Sequence, residues 1–198
     1  MRASFASAGV AIVQLANAER VKFGVLSDIH LQALYEPDRP ADKNCIPPLT
    51  GHEDDHEKTD DKAYFGRLGC DLPAVMVERA FQKMSADNPD INFMLVPGDF
   101  AGHYISLDQR HPQPEKKSEE LYEMLKEVHQ QIIGLFEKYF SGVPVLMNLG
   151  NNDTKYHYQP PFGDDKKPYF DFLDKTWFTD YSGNQSLDNL SDIADTLE

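Results

Sequence analysis

Residues 21–30, with the sequence VKFGVLSDIH, contain the pattern that decides the fold: an apolar run followed at once by Asp28 and His30. The same pattern recurs at two later places, residues 91–97 followed by Asp99 and residues 143–149 followed by Asn151. Each run is short, rich in Val, Leu, Ile and Phe, and bounded by Gly, Pro or Asn, which is typical of a strand buried on both faces. The sequence therefore predicts three buried strands with polar side chains at their carboxyl ends.

These polar residues indicate a metal site. In open α/β sheets, ligands bind in the crevice beyond the carboxyl ends of the strands, where the loops converge. Asp28, His30, Asp99 and Asn151 are all predicted to lie at such ends. Their carboxylate, imidazole and carboxamide groups suit Mn, Fe, Zn or Mg, and no thiolate is offered among them.

Amphipathic helices are predicted between and after the strands. Asp71 is expected to cap the first helix, with Pro73 in its first turn, and a second helix begins near Ser118. The predicted apolar faces are Val77, Ala80, Phe81 and Met84; Leu121, Leu125, Val128, Ile132, Leu135 and Tyr139; Tyr169, Leu173 and Trp177; and Leu187, Leu190, Ala194 and Leu197. Alternating strands and helices predict the α/β class, with right-handed crossovers and a largely parallel sheet flanked by helices.

Composition narrows the functional classes. A chain of 198 residues with 40% hydrophobic residues is long enough to form one domain with a real core. A formal net charge of −14 argues against a nucleic-acid-binding surface and against adhesion to anionic membranes. The sequence also contains no apolar stretch of the roughly 18 residues that a transmembrane helix needs.

The first 18 residues have the order of a cleaved secretory signal. Arg2 is followed by a small, apolar segment and then by Ala16-Asn17-Ala18. Cleavage after Ala18 would leave residues 19–198 as the mature chain. The alternative is a first strand or a core helix. A signal predicts secretion, or delivery to a lysosome-like or vacuole-like lumen.

In such an oxidising compartment, Cys45 and Cys70 are expected to form a disulfide, and two unpaired buried thiols are the alternative. Asn184 and Asn189 each begin an Asn-x-Ser sequence and are predicted glycosylation sites.

The acidic insertion at residues 32–64 contains His52-Glu53-x-x-His56, which matches the zinc-protease pattern. Such a site needs a helix packed by apolar neighbours, and the flanks of this match are polar and charged. We therefore interpret the insertion as a solvated acidic loop and keep the zinc protease as a remote alternative.

Three motifs resemble the first three blocks of the calcineurin-like metallophosphoesterases: Ser27-Asp28-Ile29-His30, Pro97-Gly98-Asp99 and Gly150-Asn151-Asn152-Asp153. Residues 66–73, GRLGCDLP, resemble a segment of the acid-sphingomyelinase-like phosphodiesterases, and His103 fits the same branch. The Asn-Asn-Asp form is similar to that of endopolyphosphatase-type members. The resemblance extends from Val21 to Trp177 and implies the N-terminal part of a four-layer αββα sandwich.

The resemblance also implies a centre of two divalent metal ions, with Zn, Mn or Fe expected. Asp28 and His30 would hold the first metal, Asp99 would bridge both, and Asn151 would bind the second. A hydroxide between the metals would attack phosphorus. His103 would contact the phosphate or protonate the leaving group, and a loop histidine with local hydrogen bonds is the alternative.

Two departures from the family pattern affect the expected activity. Asn152 stands at the catalytic position where most of the family has His, and a carboxamide cannot deliver a proton. The later His and the Gly-His-x-His block of the family do not follow Asn151, and His157 is expected to be a loop residue. We therefore expect residues 19–198 to be the N-terminal portion of the phosphoesterase domain, with its C-terminal half as a missing partner, weak metal binding and little turnover.

The function implied is a secreted metal-dependent phosphoesterase that hydrolyses phosphodiesters or phosphoanhydrides. The expected partner is a phosphate-ester small molecule, a nucleotide or a polyphosphate. The alternative is a catalytically silent secreted binding protein of the same fold.

Overall fold

The computed structural model of the protein describes residues 21–39, 45, 60–103, 119–154 and 163–184. Several predictions from the sequence fall outside these ranges: the signal at residues 1–18, most of the acidic insertion with His52, Glu53 and His56, the loop residue His157, the glycosylation site Asn189 and the helical face at residues 187–197.

A parallel sheet of three short strands forms the centre of the described structure. The strands are β1 (Phe23–Val25), β2 (Phe93–Val96) and β3 (Val145–Met147), and they lie side by side in the order β1-β2-β3. Each strand lies within one of the three predicted apolar runs but is shorter than that run. The parallel arrangement confirms the predicted sheet.

Helices connect the strands, as predicted. Helix α1 (Ala74–Asp87) lies between β1 and β2, and α2 (Glu119–Tyr139) lies between β2 and β3. After β3 come a 3₁₀ turn (Gly163–Asp165), α3 (Lys166–Asp174) and a π-helical segment (Lys175–Asp180). The protein therefore has an α/β fold. No helix in the described ranges is long and apolar enough to cross a membrane.

Only one face of the sheet is covered, so the prediction that the strands are buried on both faces is wrong for the described chain. Crossovers of one hand between strands added in sequence order place their helices on the same face. Gly24 faces that side, because a Cβ there would lie 2.4 Å from Sδ of Met94 and 2.9 Å from Cε of Met84 on α1. On the opposite face Phe23 and Val25 remain more than half exposed. The second sheet of the four-layer sandwich stays a prediction.

The core between the sheet and the helices follows the predicted apolar faces with local shifts. On α2 the predicted stripe is buried as far as Ile132, and Phe136 continues it more deeply than Leu135 does. On α1 Val77 and Phe81 are buried, whereas Ala80 is exposed, so its place in the predicted face is wrong. Ala80 lies at the edge of a stripe that steps by four residues.

Asp71 does not cap α1, contrary to the prediction. The helix begins after Pro73, which occupies the capping position and offers no side-chain hydrogen bond. The Asp71 carboxylate accepts instead from the backbone N–H and from Nδ1 of His103.

One residue earlier, Cys70 forms the predicted disulfide with Cys45, with 6.0 Å between their Cα atoms.

The packing of Asn184 contradicts the glycosylation predicted there. Its side chain is buried, and Oδ1 accepts from the Val145 N–H at 2.7 Å. Nδ2, the atom that would carry a glycan, donates to the carbonyls of Val145 at 2.9 Å and Trp177 at 2.8 Å. This carboxamide ties the chain after the π-helical segment to β3 and leaves no N–H for a glycan.

His129 on α2 gives the fold a pH dependence. Burial lowers the pKa of this imidazole to about 3, whereas an unburied histidine titrates near 6.5. Between these values only the unfolded chain binds the proton, so stability falls as the pH falls. From pH 7 to pH 5 we expect His129 to lower the free energy of unfolding by about 2 kcal/mol.

Urea denaturation of the wild type and of His129→Gln at pH 7, 6 and 5 measures this contribution. In the variant the free energy of unfolding should fall less between pH 7 and pH 5, because glutamine does not titrate. Parallel pH profiles for the two proteins would contradict the assignment.

Candidate metal centre

Backbone hydrogen bonds continue past the ends of β1 and β2 and bring two of the predicted ligand segments together. The N–H of Asp28 donates to the Gly98 carbonyl at 3.2 Å, and the N–H of His30 donates to the Asp99 carbonyl at 2.9 Å. Leu31 then donates to Phe100 at 2.8 Å. The chain therefore carries its parallel register from the sheet into the site.

Asp28, His30 and Asp99 form a cluster that could hold a metal ion. One ligand atom from each residue lies within 4.8 Å of the other two. The imidazole of His30 is oriented by its Nδ1, which lies 3.2 Å from the Ala101 carbonyl. Because a carbonyl can only accept, Nδ1 carries the proton, and Nε2 keeps the lone pair that a metal requires.

The same three residues have strained backbones. Asp28, His30 and Asp99 have φ values of 56°, 44° and 57°, and they are the positive-φ residues other than glycine in the part of the chain that is described. This conformation costs about 1–2 kcal/mol for a residue with a Cβ. Such strain concentrates at functional sites, where the surrounding structure holds it in place. Its position on the three predicted ligands supports their assignment independently of the sequence motifs.

Two glycines let the third ligand segment approach the second. A Cβ on Gly98 would lie 2.1 Å from the Gly150 nitrogen, and a Cβ on Gly150 would lie 2.2 Å from Oδ1 of Asp99. Any side chain at either position would force the loops after β2 and β3 apart. Asn151 follows directly in the turn at residues 151–154 and is half-buried there.

The carboxylate of Asp153 holds the loops after β2 and β3 together, a role that the sequence alone does not indicate. It is fully buried, and its Oδ2 accepts from the N–H groups of Asp99 at 2.7 Å and Gly150 at 2.8 Å. Oδ1 accepts from Phe100 at 2.8 Å and Ala101 at 3.0 Å. Burial raises the pKa of Asp153, and the backbone N–H groups oppose that rise. One carboxylate thus fixes the loop that presents Asp99.

Asn152 is turned towards Asp99. Its backbone N–H and its Nδ2 donate to Oδ1 of Asp99 at 2.9 and 3.3 Å, and the side chain is buried. Its Oδ1 is buried and has no hydrogen-bond partner among the described residues. An orphaned buried oxygen beside a carboxylate is unfavourable in a site without a further ligand. The structure assigns Asn152 to holding Asp99, and direct contact with a substrate stays a prediction.

His103 lies beside the cluster and is fixed by Asp71. Its backbone N–H donates to Oδ2 of Asp71 at 2.6 Å, and Nδ1 lies 2.9 Å from Oδ1. The His103 ring stacks on His30 with 4.5 Å between centroids. Because the carboxylate accepts at Nδ1, Nε2 is the nitrogen available to a ligand. The ring is half-exposed, which suits a residue that meets a substrate. The hydrogen bonds to Asp71 agree with the alternative, a loop histidine with local hydrogen bonds. Contact of His103 with the phosphate or the leaving group stays a prediction.

The donor set fits a hard or borderline divalent cation. Two carboxylates and one imidazole suit Mn, Fe or Zn, and the carboxylate of Asp28 is largely open to solvent. Oδ1 of Asp99 accepts from the N–H of Asn152, in the turn that also carries Asn151, and the bridging role of Asp99 stays a prediction.

Comparisons with known proteins agree with the family resemblance found in the sequence. The family model described as calcineurin-like phosphoesterase matches residues 21–197. Over 84 residues the chain is 29% identical to sphingomyelin phosphodiesterase 2 of Caenorhabditis elegans. That match covers 42% of this chain and spans 12% of the length of the relative.

Asp153→Asn tests whether the buried carboxylate supports the centre. An amide nitrogen cannot accept hydrogen bonds, so about two of the backbone N–H groups lose their partner. We expect the free energy of unfolding to fall by about 2–4 kcal/mol and metal affinity to fall by about tenfold or more. Chemical denaturation and Mn²⁺ titration measure the two effects.

Asp90→Asn is the matched control, because Asp90 is exposed and pairs with Lys22 on the surface. It should change both quantities little. If Asp153→Asn behaved like this control, Asp153 would not support the metal centre.

Proposed function

Because the chain belongs to the calcineurin-like phosphoesterase family, we propose that it is a metal-dependent phosphoesterase acting on phosphodiesters or phosphoanhydrides. The observation that carries this proposal is the coincidence of left-handed strain with the ligand cluster at Asp28, His30 and Asp99. Strain at three adjacent ligands is explained by a site that must present their side chains in one direction.

The proposed centre assigns a role to each ligand residue. Asp28 and His30 would hold the first cation, Asp99 would serve both cations, and Asn151 would hold the second. When bound, the cations activate a water for attack and neutralise the phosphoryl oxygens. Two cations held at one site would repel each other, and the negative charge of Asp99 would reduce that repulsion.

His103 is proposed to act on the substrate. Asp71 accepts one hydrogen bond from the backbone N–H of His103 and one from Nδ1 of its ring, so that Nε2 can contact a phosphoryl oxygen or donate a proton to the leaving group. Asn152 cannot transfer a proton, and its amide is engaged with Asp99. His103 is therefore the proposed source of acid catalysis in the described site.

The proposed substrates are a phosphate-ester small molecule, a nucleotide or a polyphosphate. The relative named above is by name a sphingomyelin phosphodiesterase, which supports a phosphodiester among these candidates. The disulfide supports the proposed location, secreted or in a lysosome-like or vacuole-like lumen.

A second candidate is a catalytically silent binding protein of the same fold. The specific observation that favours it is Asn152, which replaces an acid-base residue of the family and contacts Asp99 instead. Such a protein would bind the metal and the phosphate without hydrolysis.

Mn²⁺ binding tests the metal centre directly. We expect weak but saturable binding, because the second cation has only Asp99 and Asn151 as proposed ligands. Asp99→Asn should lower the affinity by about tenfold or more, since the bridging charge is lost. Electron paramagnetic resonance of free Mn²⁺ measures this, with Asp90→Asn as the exposed control. Equal affinities for the two variants would contradict the proposed centre.

Hydrolysis of bis-p-nitrophenyl phosphate with added Mn²⁺ separates the two candidate functions. We expect slow turnover that His103→Asn lowers by about 10²-fold, because the proposed contact of Nε2 with a phosphoryl oxygen is removed. Asp71→Asn should lower kcat less, because the amide oxygen can still accept from Nδ1. Saturable Mn²⁺ binding without turnover in the wild type would favour the silent binding protein.

A further inference from the structure

A chain of buried hydrogen bonds runs from the helices to the loop that presents the metal ligands. Nε1 of Trp177 donates to Nδ1 of His129 at 3.1 Å, and Nε2 of His129 lies 3.2 Å from Oη of Tyr169. Oη of Tyr169 in turn donates to the backbone carbonyl of Asp153 at 2.7 Å. All four residues are at most 1% exposed, so water does not compete for these contacts.

The direction of each hydrogen bond in this series is fixed by the groups that form it. The indole N–H of Trp177 can only donate, so Nδ1 of His129 accepts. The buried imidazole is neutral, because its pKa is lowered to about 3, and its single proton therefore lies on Nε2. Nε2 donates to Oη of Tyr169, whose own proton is then directed to the Asp153 carbonyl. No member is left unsatisfied.

Asp153 connects this series of hydrogen bonds to the candidate metal centre. Its carbonyl accepts from Tyr169, and its carboxylate accepts from the backbone of Asp99 and of the two residues after it. Asp99 has a φ of 57°, a conformation that needs support from its surroundings. The hydroxyl of Tyr169 is thus two hydrogen bonds away from the backbone of the proposed bridging ligand.

Packing alone does not explain why the buried residue 169 carries a hydroxyl group. A buried phenylalanine would fill the same space without the desolvation of a polar group. Tyr181 offers a comparison within the chain: it is also buried, and its Oη donates to the Val143 carbonyl at 2.7 Å. That hydrogen bond lies before β3, at the amino end of the strand and on the side away from the ligand cluster.

We propose that Tyr169 is a positioning residue for the metal centre, acting through the Asp153 carbonyl, and that His129 and Trp177 fix the direction in which its hydroxyl donates. The link to metal binding rests on the proposed function. The effect on the backbone at residues 99–101 and 150 does not rest on it, and the experiment measures both.

Tyr169→Phe and Tyr181→Phe form a matched pair, because each removes one buried hydroxyl that donates to a backbone carbonyl. Amide hydrogen exchange is followed by NMR for Asp99, Phe100, Ala101 and Gly150, relative to the β2 amide of Met94. In Tyr169→Phe we expect exchange at these four amides to accelerate by about fivefold. In Tyr181→Phe their relative exchange should stay unchanged.

The same proteins are titrated with Mn²⁺. Tyr169→Phe should weaken binding by about threefold to tenfold, and Tyr181→Phe should not. Equal exchange and equal affinity in the two variants would overturn the inference. If the wild type binds no Mn²⁺ but Tyr169→Phe alone accelerates the four amides, the proposed function fails while the positioning of the loop by Tyr169 stands.

Trp177→Phe keeps the inference testable if Tyr169→Phe does not fold. This variant retains the Tyr169 hydroxyl and removes the donor to Nδ1 of His129. We expect a smaller acceleration, about twofold, at the same four amides. An acceleration spread evenly over β2 and the loop would indicate general loss of stability and would contradict a positioning role.

Discussion

The carboxylate of Asp153 accepts hydrogen bonds from the backbone N–H groups of Asp99, Phe100, Ala101 and Gly150, and the candidate metal centre depends on that interaction. Beyond the end of β2 the N–H groups of residues 99–101 donate to this carboxylate and not to a neighbouring strand. A buried N–H without a partner is costly. One buried carboxylate meets this need for two loops at once, because each of its oxygens accepts from two groups. The loops after β2 and β3 are therefore held together by a single side chain.

This constraint explains why strain is tolerated where the metal ligands lie. Asp28, His30 and Asp99 each have a left-handed backbone, which an unsupported loop would relax. Backbone hydrogen bonds hold the first two against the segment at residues 98–100, and Asp153 holds that segment in turn. Gly98 and Gly150 allow the loops to touch. A rigid ligand set of this kind is prepared to bind a cation with little rearrangement.

The sequence was most informative where local pattern and chemistry coincide. The three apolar runs and their terminal Asp, His and Asn residues predicted both the parallel sheet and the ligand cluster, because parallel strands must end at one edge. Helix positions followed from apolar spacing. The apolar runs predicted burial of both sheet faces, but in the described chain one face stays exposed; the second sheet that the family resemblance implies for that face stays a prediction.

Long-range polar contacts were the features that the sequence did not show. Asp153 follows two asparagines and resembles any loop carboxylate, yet its partners lie some fifty residues away along the chain. Asp71 stands where a helix cap is expected, but His103 provides a closer partner. Asn184 begins a glycosylation sequence, and only its packing against β3 shows that the amide is used inside the fold. Tyr169 was predicted as an apolar core residue. Its hydroxyl donates to the Asp153 carbonyl, a contact that the apolar spacing of the sequence does not indicate.

The central claim, that Asp153 and the strained strand ends build one metal site, is tested most directly by locating the metal. Crystals grown with Mn²⁺ and measured for anomalous scattering should show a peak within about 2–2.5 Å of Asp28, Nε2 of His30 and Asp99. A peak at that position would support the account. Peaks that occur only elsewhere, in the acidic insertion or on the exposed carboxylates, would contradict it.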